Sequence, residues 1–429
     1  MLIKGWAWVA LFKARWFLQK VETRKFSVIT ERPMSNESLE SANKLSILYS
    51  GIKVAPRFIR PYALLRRFLF YKKMKKKNYC YVEPKISSNI FEILETNGHE
   101  KLIFGSNKET GLKIVLAIHD TTLGPSTGGT RMVLVSEDKA IEEALRLSYA
   151  MSFKTAIIDE PFGGSKAVVI GDPTKIKTKE FLHSLGDFIE SLDGAFLTGV
   201  DMGLSLEDAK VIGERTKYIY NSKGCSGVTT GHGVFKGLKE TVKYKLGKEN
   251  LAGVKVAVQG VGNVGGALVD LLLKDGAFVF ISDIDSARTK KYSKNKNVKV
   301  VDNDKIYDVE CDVFSPCAVG EIINDDTIMR LKAKIIAGGA NNQLKDEINN
   351  ATMLHKLGIL HAPDFVINAA GVCHGMCEVK KVDISHAMDK TNLIPGILRK
   401  IYEKSEKSDT PPLFIAYEMA HEKIKSQKK

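Results

Sequence analysis

From residue 89 onward, apolar positions recur in two rhythms, and their alternation predicts a succession of helices and strands. Asn89 opens a short stretch (NIFEILET) that reads as a helix, Asn97-Gly98 reads as a turn, and Leu112 to Ile118 (LKIVLAI) is an apolar run of strand length. A glycine-rich stretch then predicts a loop. In EDKAIEEALRLSY, Glu137 to Tyr149, residues Ala140, Ala144 and Leu147 fall on one helical face with acids opposite, and the helix continues toward Lys154. Ala167 to Ile170 (AVVI) predicts another short buried strand, ended by Gly171-Asp172-Pro173, and Phe181 to Leu192 a further amphipathic helix. The polar stretch from Asn221 to Gly227 closes this segment.

Gly233 to Leu246 predicts a linking helix. Val254 to Gln259 (VKVAVQ) then reads as a buried strand running into Gly260-Val-Gly262-Asn263-Val264-Gly265 and a helix from Ala267 to Lys274, and the next strand, Ala277 to Ser282, ends at Asp283. Strand, G-x-G-x-x-G, helix, strand and acid, with the acid 23 residues after the first glycine, form the dinucleotide-binding unit. Gly260 permits the tight turn, Gly262 lets a pyrophosphate approach backbone, Gly265 lets helix and strand pack closely, and the helix N-terminus offers N–H donors. Asn263 and Val264 belong to the same candidate cofactor site. Asp283 is placed to accept from ribose hydroxyls and to repel a 2′-phosphate, which favours NAD over NADP, although Arg288 lies close in sequence. Strands are also predicted at Asp312 to Ser315 and Lys334 to Ala337, each leading into a loop (PCAVG, GGANNQ), with Val366 to Val372 as the last such loop. The fold class is α/β. Two globular domains are predicted, a substrate domain over 86–224, completed by about 385–429, and a doubly wound Rossmann-type NAD-binding domain over 225–384.

Charge changes the picture at the N-terminus. The chain has 429 residues and a net charge of +14, yet residues 1–85 hold 19 basic and 5 acidic side chains while the remainder holds 45 of each. A charge-balanced body has no electrostatic footprint for a phosphate backbone, so nucleic-acid binding is not expected of it. The leader's longest apolar stretch, Gly5 to Phe12, is too short to span a bilayer. It reads either as an organelle transit peptide or as a start placed upstream of Met34 or Met74, and the location expected is the cytoplasm, or the mitochondrial matrix in the transit-peptide case. Six cysteines in a chain of this length suit a reducing compartment. Cys373-His374-Cys377 has half the spacing of a metal cluster, but no second pair stands at zinc-finger distance, so no metal is predicted and the thiols read as buried beside a turn.

Three charged groups stand in unusual company. Lys154 ends Met-Ser-Phe-Lys, with Met151 at its head; Lys166 follows Phe162-Gly-Gly-Ser twelve residues later; Asp201 lies in Thr-Gly-Val-Asp-Met-Gly. A desolvated lysine near another cation loses its preference for the ammonium form and serves as a base near neutral pH, while a second one kept charged holds a carboxylate.

AIHDTTLGPSTGGTRM (117–132), MSFK with GGSK twelve residues on, TGVDMG (198–203), VAVQGVGNVG, PCAVG, AGGANNQL (337–344) and APDFVINAAGV (362–372) together resemble the glutamate, leucine, phenylalanine and valine dehydrogenase superfamily, nearest to its leucine members. The likeness runs from about residue 89 to the C-terminal region, and the leader lies outside it. The resemblance implies NAD-dependent oxidative deamination of an L-amino acid to a 2-oxo acid and ammonia, in a homo-oligomer of six or eight copies. It implies Lys166 as general base, Asp201 as the proton-shuttling acid, Lys154 as the clamp on the substrate carboxylate, and Gly129, Thr127, Met151 and Val372 as substrate-site residues. Thr230 and Asn341 match positions near the nicotinamide.

The departures bear on specificity. Glutamate enzymes of the superfamily carry a lysine before the glycine pair and a serine four residues after the glycine of the last loop. Thr127 and Gly375 stand there instead, so a side-chain carboxylate would lack a cation, which disfavours glutamate. Leucine enzymes carry larger aliphatic residues at both positions, so a wider or differently shaped pocket is expected unless Met376 or His374 fills the space at Gly375. Gly199 in TGVDMG resembles the phenylalanine members, and an aromatic substrate is the alternative. A homologue that binds NAD without turnover is another.

Overall fold

The computed structural model describes residues 90–220 and 226–427. The leader with its two internal methionines, Cys80, Cys225 and most of the polar stretch from Asn221 to Gly227 lie outside the described residues.

The first lobe begins with helix α1 (Ile90–Asn97), turned by Gly98 at φ +75°, and the strands β1 (Lys101–Asn107) and β2 (Leu112–Asp120). Strand β3 (Ser126–Val133), helix α2 (Glu137–Ile157), strand β4 (Gly163–Ile170), helix α3 (Lys179–Glu190), strand β5 (Phe196–Val200) and helix α4 (Leu206–Ile212) follow. The sheet order is β1-β2-β4-β3-β5, with β3 parallel to both β4 and β5 and the other pairs antiparallel. Leu112, Ile114, Leu116 and Ile118 of β2 join one core cluster with Phe181 and Phe196, while Val115 and Ala117 join a second with Ala144 and Leu145 of α2. Covered on both faces, β2 reads as an unbroken apolar run.

The glycine-rich stretch expected as a loop is strand β3. At Gly128 a Cβ would stand 2.6 Å from the Ser165 carbonyl carbon, so glycine is what lets β3 lie so close to β4. β4 also starts earlier than expected, at Gly163, which puts Lys166 on a strand rather than in a loop.

Helix α5 (Ser226–Leu246), longer than the expected linking helix, leads to the second lobe. Its strands are β6 (Lys255–Gln259), β7 (Phe278–Ser282), β8 (Val298–Val300), β9 (Val313–Pro316), β10 (Ile335–Ile336) and β11 (Leu360–His361), all parallel in the doubly wound order β11-β10-β9-β6-β7-β8. Helix α6 (Asn263–Lys274) starts directly at the glycine motif, four residues before the predicted Ala267. Helices α7 (Ser286–Lys290), α8 (Asp325–Arg330) and α9 (Glu347–Lys356) complete the crossovers. The stretch from Val366 to Val372, expected as a loop, is mostly helical: α10 (Asp364–Ile367) is followed, after a turn at Asn368 and Ala369, by α11 (Ala370–Lys380). Pro363 sets the start, and the alanines at 369 and 370 favour the helical state over a loop.

Helices α12 (Ser385–Lys390), α13 (Leu393–Ser408) and α14 (Pro412–Ser426) return to the body. α13 packs on α5 and α14 on α2, where the Tyr417 ring lies 5.3 Å from Phe153 and 6.1 Å from Tyr149. The buried carboxylate of Glu160, after α2, is held by Lys380 at 3.0 Å and by His386 and Lys390 at 3.4 Å, tying α11 and α12 to the first lobe. Among the described residues no helix is long and apolar enough to cross a membrane.

Candidate active site

A cleft of about 440 Å³ opens where the two lobes face each other, and Lys154, Lys166 and Asp201 all line it. Each comes from a different element. Lys166 sits in β4 and Asp201 immediately after β5, where its N–H donates to the Thr130 carbonyl of β3 at 3.0 Å, so sheet register brings the two charges together. Lys166 Nζ donates to Asp201 Oδ2 at 2.5 Å, and Arg131 Nε donates to the same oxygen at 3.1 Å while its Nη1 reaches Glu143 at 3.2 Å. Burial by itself would raise the Asp201 carboxyl, but Lys166 and Arg131 outweigh it and hold the group well below the usual carboxylate range. Asp201 is therefore an anion throughout the neutral range. Gly129 stands beside the pair; a Cβ there would lie 3.1 Å from Lys166 Nζ and 3.0 Å from Asp201 Cβ, so glycine leaves the ion pair open to the cleft.

Lys154, near the end of α2, is reached from the second lobe. Its Nζ donates to Asn341 Oδ1 at 2.8 Å, and the same oxygen accepts from Asn368 Nδ2 at 2.8 Å. Burial lowers the Lys154 pKa to about 8; the charge of Lys166 pushes the same way, and Asp364 and Asp201 oppose it. The residue can thus present a cation to an incoming carboxylate at neutral pH.

The glycine motif forms a separate cradle. Gly260 holds φ +88° in the tight turn, and Gly262 caps α6 with no side chain covering the helix N-terminus. A Cβ at Gly262 would meet only Arg288 Nη1, at 3.4 Å, and one at Gly265 would run into the Gly260 carbonyl. The open N-terminus and the absent Cβ at 262 fit a dinucleotide's pyrophosphate, and the close approach at 265 is the packing this turn needs. Asp283 is buried, accepting from Val261 N–H at 2.8 Å and from Asp285 N–H at 2.9 Å, with Arg288 Nη1 3.7 Å away. Asn263, Val264, Thr230 and Asn341 line the cleft where it meets this cradle.

Gly129, Met151 and Val372 also line the cleft. Thr127, expected there, does not: it is fully buried, its Oγ1 donating to the Leu197 carbonyl at 3.2 Å. The space beside Gly375 is filled by Tyr220, whereas Met376 is buried in the core and His374 bonds Thr229 at 3.1 Å. Tyr220, Arg131 and Asn368 are the site residues that sequence reading leaves unassigned. Arg131 and Asn368 sit inside motifs already quoted; Tyr220 has no motif, and only the three-dimensional fold brings it to Gly199 and Gly375. Cys373 and Cys377 are free, buried thiols on α11 rather than beside a turn. Among the described residues no cluster of His, Cys, Asp or Glu is arranged to hold a metal ion.

Comparison with known proteins adds three kinds of likeness. The profile of the Glu/Leu/Phe/Val dehydrogenase dimerisation domain matches residues 103–221, and that of Glutamate/Leucine/Phenylalanine/Valine dehydrogenase matches residues 285–429. A leucine dehydrogenase from Thermoactinomyces intermedius is 42% identical over 347 residues, 79% of this chain and 94% of the relative. A phenylalanine dehydrogenase from Lysinibacillus sphaericus is 41% identical over 319 residues, 72% of this chain and 84% of the relative. Among solved structures, L-tryptophan dehydrogenase from Nostoc punctiforme superimposes with a TM-score of 0.71 at 38% identity, covering 80% of this chain and all of that one.

Proposed function

Since this chain belongs to the Glu/Leu/Phe/Val dehydrogenase family of amino-acid oxidoreductases, we propose that it oxidatively deaminates an apolar L-amino acid, leucine or another branched-chain residue, to the 2-oxo acid and ammonia, with NAD as oxidant. The observation that carries this reading is the convergence of Lys154, Lys166 and Asp201 on one cleft beside the dinucleotide cradle.

Lys154 holds the substrate α-carboxylate, exchanging the amide of Asn341 for it. Once Lys166 has given its proton to solvent, Asp201 is relieved of that cation and takes a proton from the substrate ammonium, which leaves the nitrogen lone pair free to form the C=N bond as hydride leaves Cα. The bound nicotinamide supplies the hydride acceptor. Lys166, by then neutral, takes a proton from the water that attacks the imine carbon; the proton held at Asp201 goes to the nitrogen, the C–N bond breaks as ammonia leaves, and the hydroxyl proton passes to water as the carbonyl forms. Arg131 keeps the Asp201 carboxylate oriented toward this exchange. Gly260, Gly262, Asn263, Val264 and Gly265 would hold the cofactor's phosphates, Asp283 would accept from its ribose hydroxyls, and Thr230 and Asn341 would lie toward its nicotinamide. The buried carboxylate at 283 favours NAD over NADP.

Assembly into six or eight copies through the first lobe is part of this reading, supported by the dimerisation-domain match and by the half-exposed edge strand β1 with Phe104 outward. So is a cytoplasmic location, or the mitochondrial matrix if the leader is a transit peptide. The test is a panel of L-amino acids with NAD and with NADP, read by absorbance of the reduced cofactor. Reduction with leucine, valine or isoleucine and NAD, abolished by Lys166→Ala, is the expected result; no reduction with any apolar amino acid overturns the proposal.

A further inference from the structure

We infer that Tyr220 is the specificity-determining residue of the cleft, a fixed end wall that admits aliphatic side chains up to the size of leucine and shuts out aromatic ones. The inference rests on the deamination reading for the identity of the substrate, and on geometry for the wall.

The cleft has two ends. Lys154, Lys166 and Asp201 are charged and take the carboxylate and amine, so the side chain of a bound amino acid turns toward the rest of the lining, where Leu206, Val200, Val372 and Tyr220 present apolar surface. Tyr220 is the largest of these. Its Cε2, Cδ2 and Cζ atoms press on two backbone positions that carry no side chain: a Cβ at Gly375 would meet the ring at 2.5 Å, and one at Gly199 would come closer still. Gly199 belongs to β5 and Gly375 to α11, so the ring edge is seated between the two lobes' contributions to the site.

Two bare backbones, one on each side, seat the ring edge, so it has no room to swing aside for a larger ligand. The absence of side chains at 199 and 375 therefore does not enlarge the pocket. The volume they would take is occupied by a residue distant from both in sequence, and the pocket ends at an aromatic ring with no charge to receive a polar side-chain terminus.

The experiment compares kcat/KM for L-valine, L-leucine and L-phenylalanine, with NAD, in the wild-type chain and in Tyr220→Ala and Tyr220→Phe. The wild-type chain is expected to prefer the two aliphatic substrates. Tyr220→Ala is expected to raise the phenylalanine-to-valine ratio by about tenfold or more, the scale on which a few methylenes of pocket are discriminated. Tyr220→Phe, which keeps the ring and loses only the hydroxyl, keeps the wild-type size ranking whatever its absolute rate. A ratio left unmoved by Tyr220→Ala, or a wild-type preference for phenylalanine, overturns the inference.

A second measurement holds if Tyr220→Ala folds poorly. Gly375→Ala is expected to lower the melting temperature with tyrosine at 220 and to be tolerated in the Tyr220→Leu background; equal loss in both backgrounds overturns the wall. If the wild-type chain reduces no cofactor with any amino acid, the deamination reading fails by itself. The wall is then read from calorimetric binding of the three amino acids in the presence of NAD, by the same ratios.

Discussion

At Lys154, burial has removed most of the hydration that keeps a lysine ammonium charged, so the group titrates near about 8 instead of its ordinary 10.5. Two consequences have opposite signs. Between these values the unfolded chain binds more protons than the folded one, so this residue's contribution to stability rises with pH. The hold on a carboxylate needs the cation and falls as pH rises through about 8. Affinity for a 2-oxo acid, measured by titration calorimetry with the cofactor present, is expected to weaken by about tenfold per pH unit above that point; a flat profile up to pH 10 would show that another group carries the carboxylate. The candidate charges were legible in sequence because Lys154, Lys166 and Asp201 stand among apolar residues and glycines, where a charge has to be explained. Tyr220 was not legible. A tyrosine in a polar stretch gives no local signal, and its meaning comes from Gly199 and Gly375, which meet it only in the folded chain.

For the elements, legibility followed burial. Strand β2 and the VKVAVQ strand announce themselves by continuous apolar residues because both faces are covered. Strand β3 does not: STGGTRMV carries two glycines and an arginine, which read as a loop, although glycine is what its closeness to β4 demands. The helical stretch after Pro363 was hidden in the same way, by Asn368 and Gly371 within α10 and α11's joint. This yields a paired prediction. Gly128→Ala is expected to lower the stability measured by urea denaturation by about 1–3 kcal/mol, since a backbone carbonyl blocks the new methyl group. Gly396→Ala, on the exposed face of α13 with open space around it, is expected to be neutral or to add up to about 1 kcal/mol. Equal effects at both sites would mean that β3 and β4 adjust to each other freely.

For the whole molecule, the charge excess of residues 1–85 leaves a balanced body, and the two lobes of that body are not independent modules. Lys154 of the first is bonded to Asn341 of the second, Arg146 to Glu321 at 2.7 Å, and Glu160 gathers Lys380, His386 and Lys390 from α11 and α12. Most telling is α14, which covers the aromatic face of α2 with Tyr417 stacked over Phe365 at 4.8 Å and set edge-on against Phe153. A chain stopped after Thr410 is expected to lose near-ultraviolet circular dichroism and precipitate on expression. A soluble, cooperative truncation would place the first lobe's stability within its own sheet.

That arrangement bears on how the protein is made. The segment that seals the helix carrying Lys154 is translated long after that helix has left the ribosome, so throughout most of synthesis Tyr149 and Phe153 pack on His119 and on each other without the cover of Tyr417. The nascent first lobe therefore keeps one apolar helix face uncovered until elongation is nearly finished, the interval in which exposed apolar surface invites aggregation.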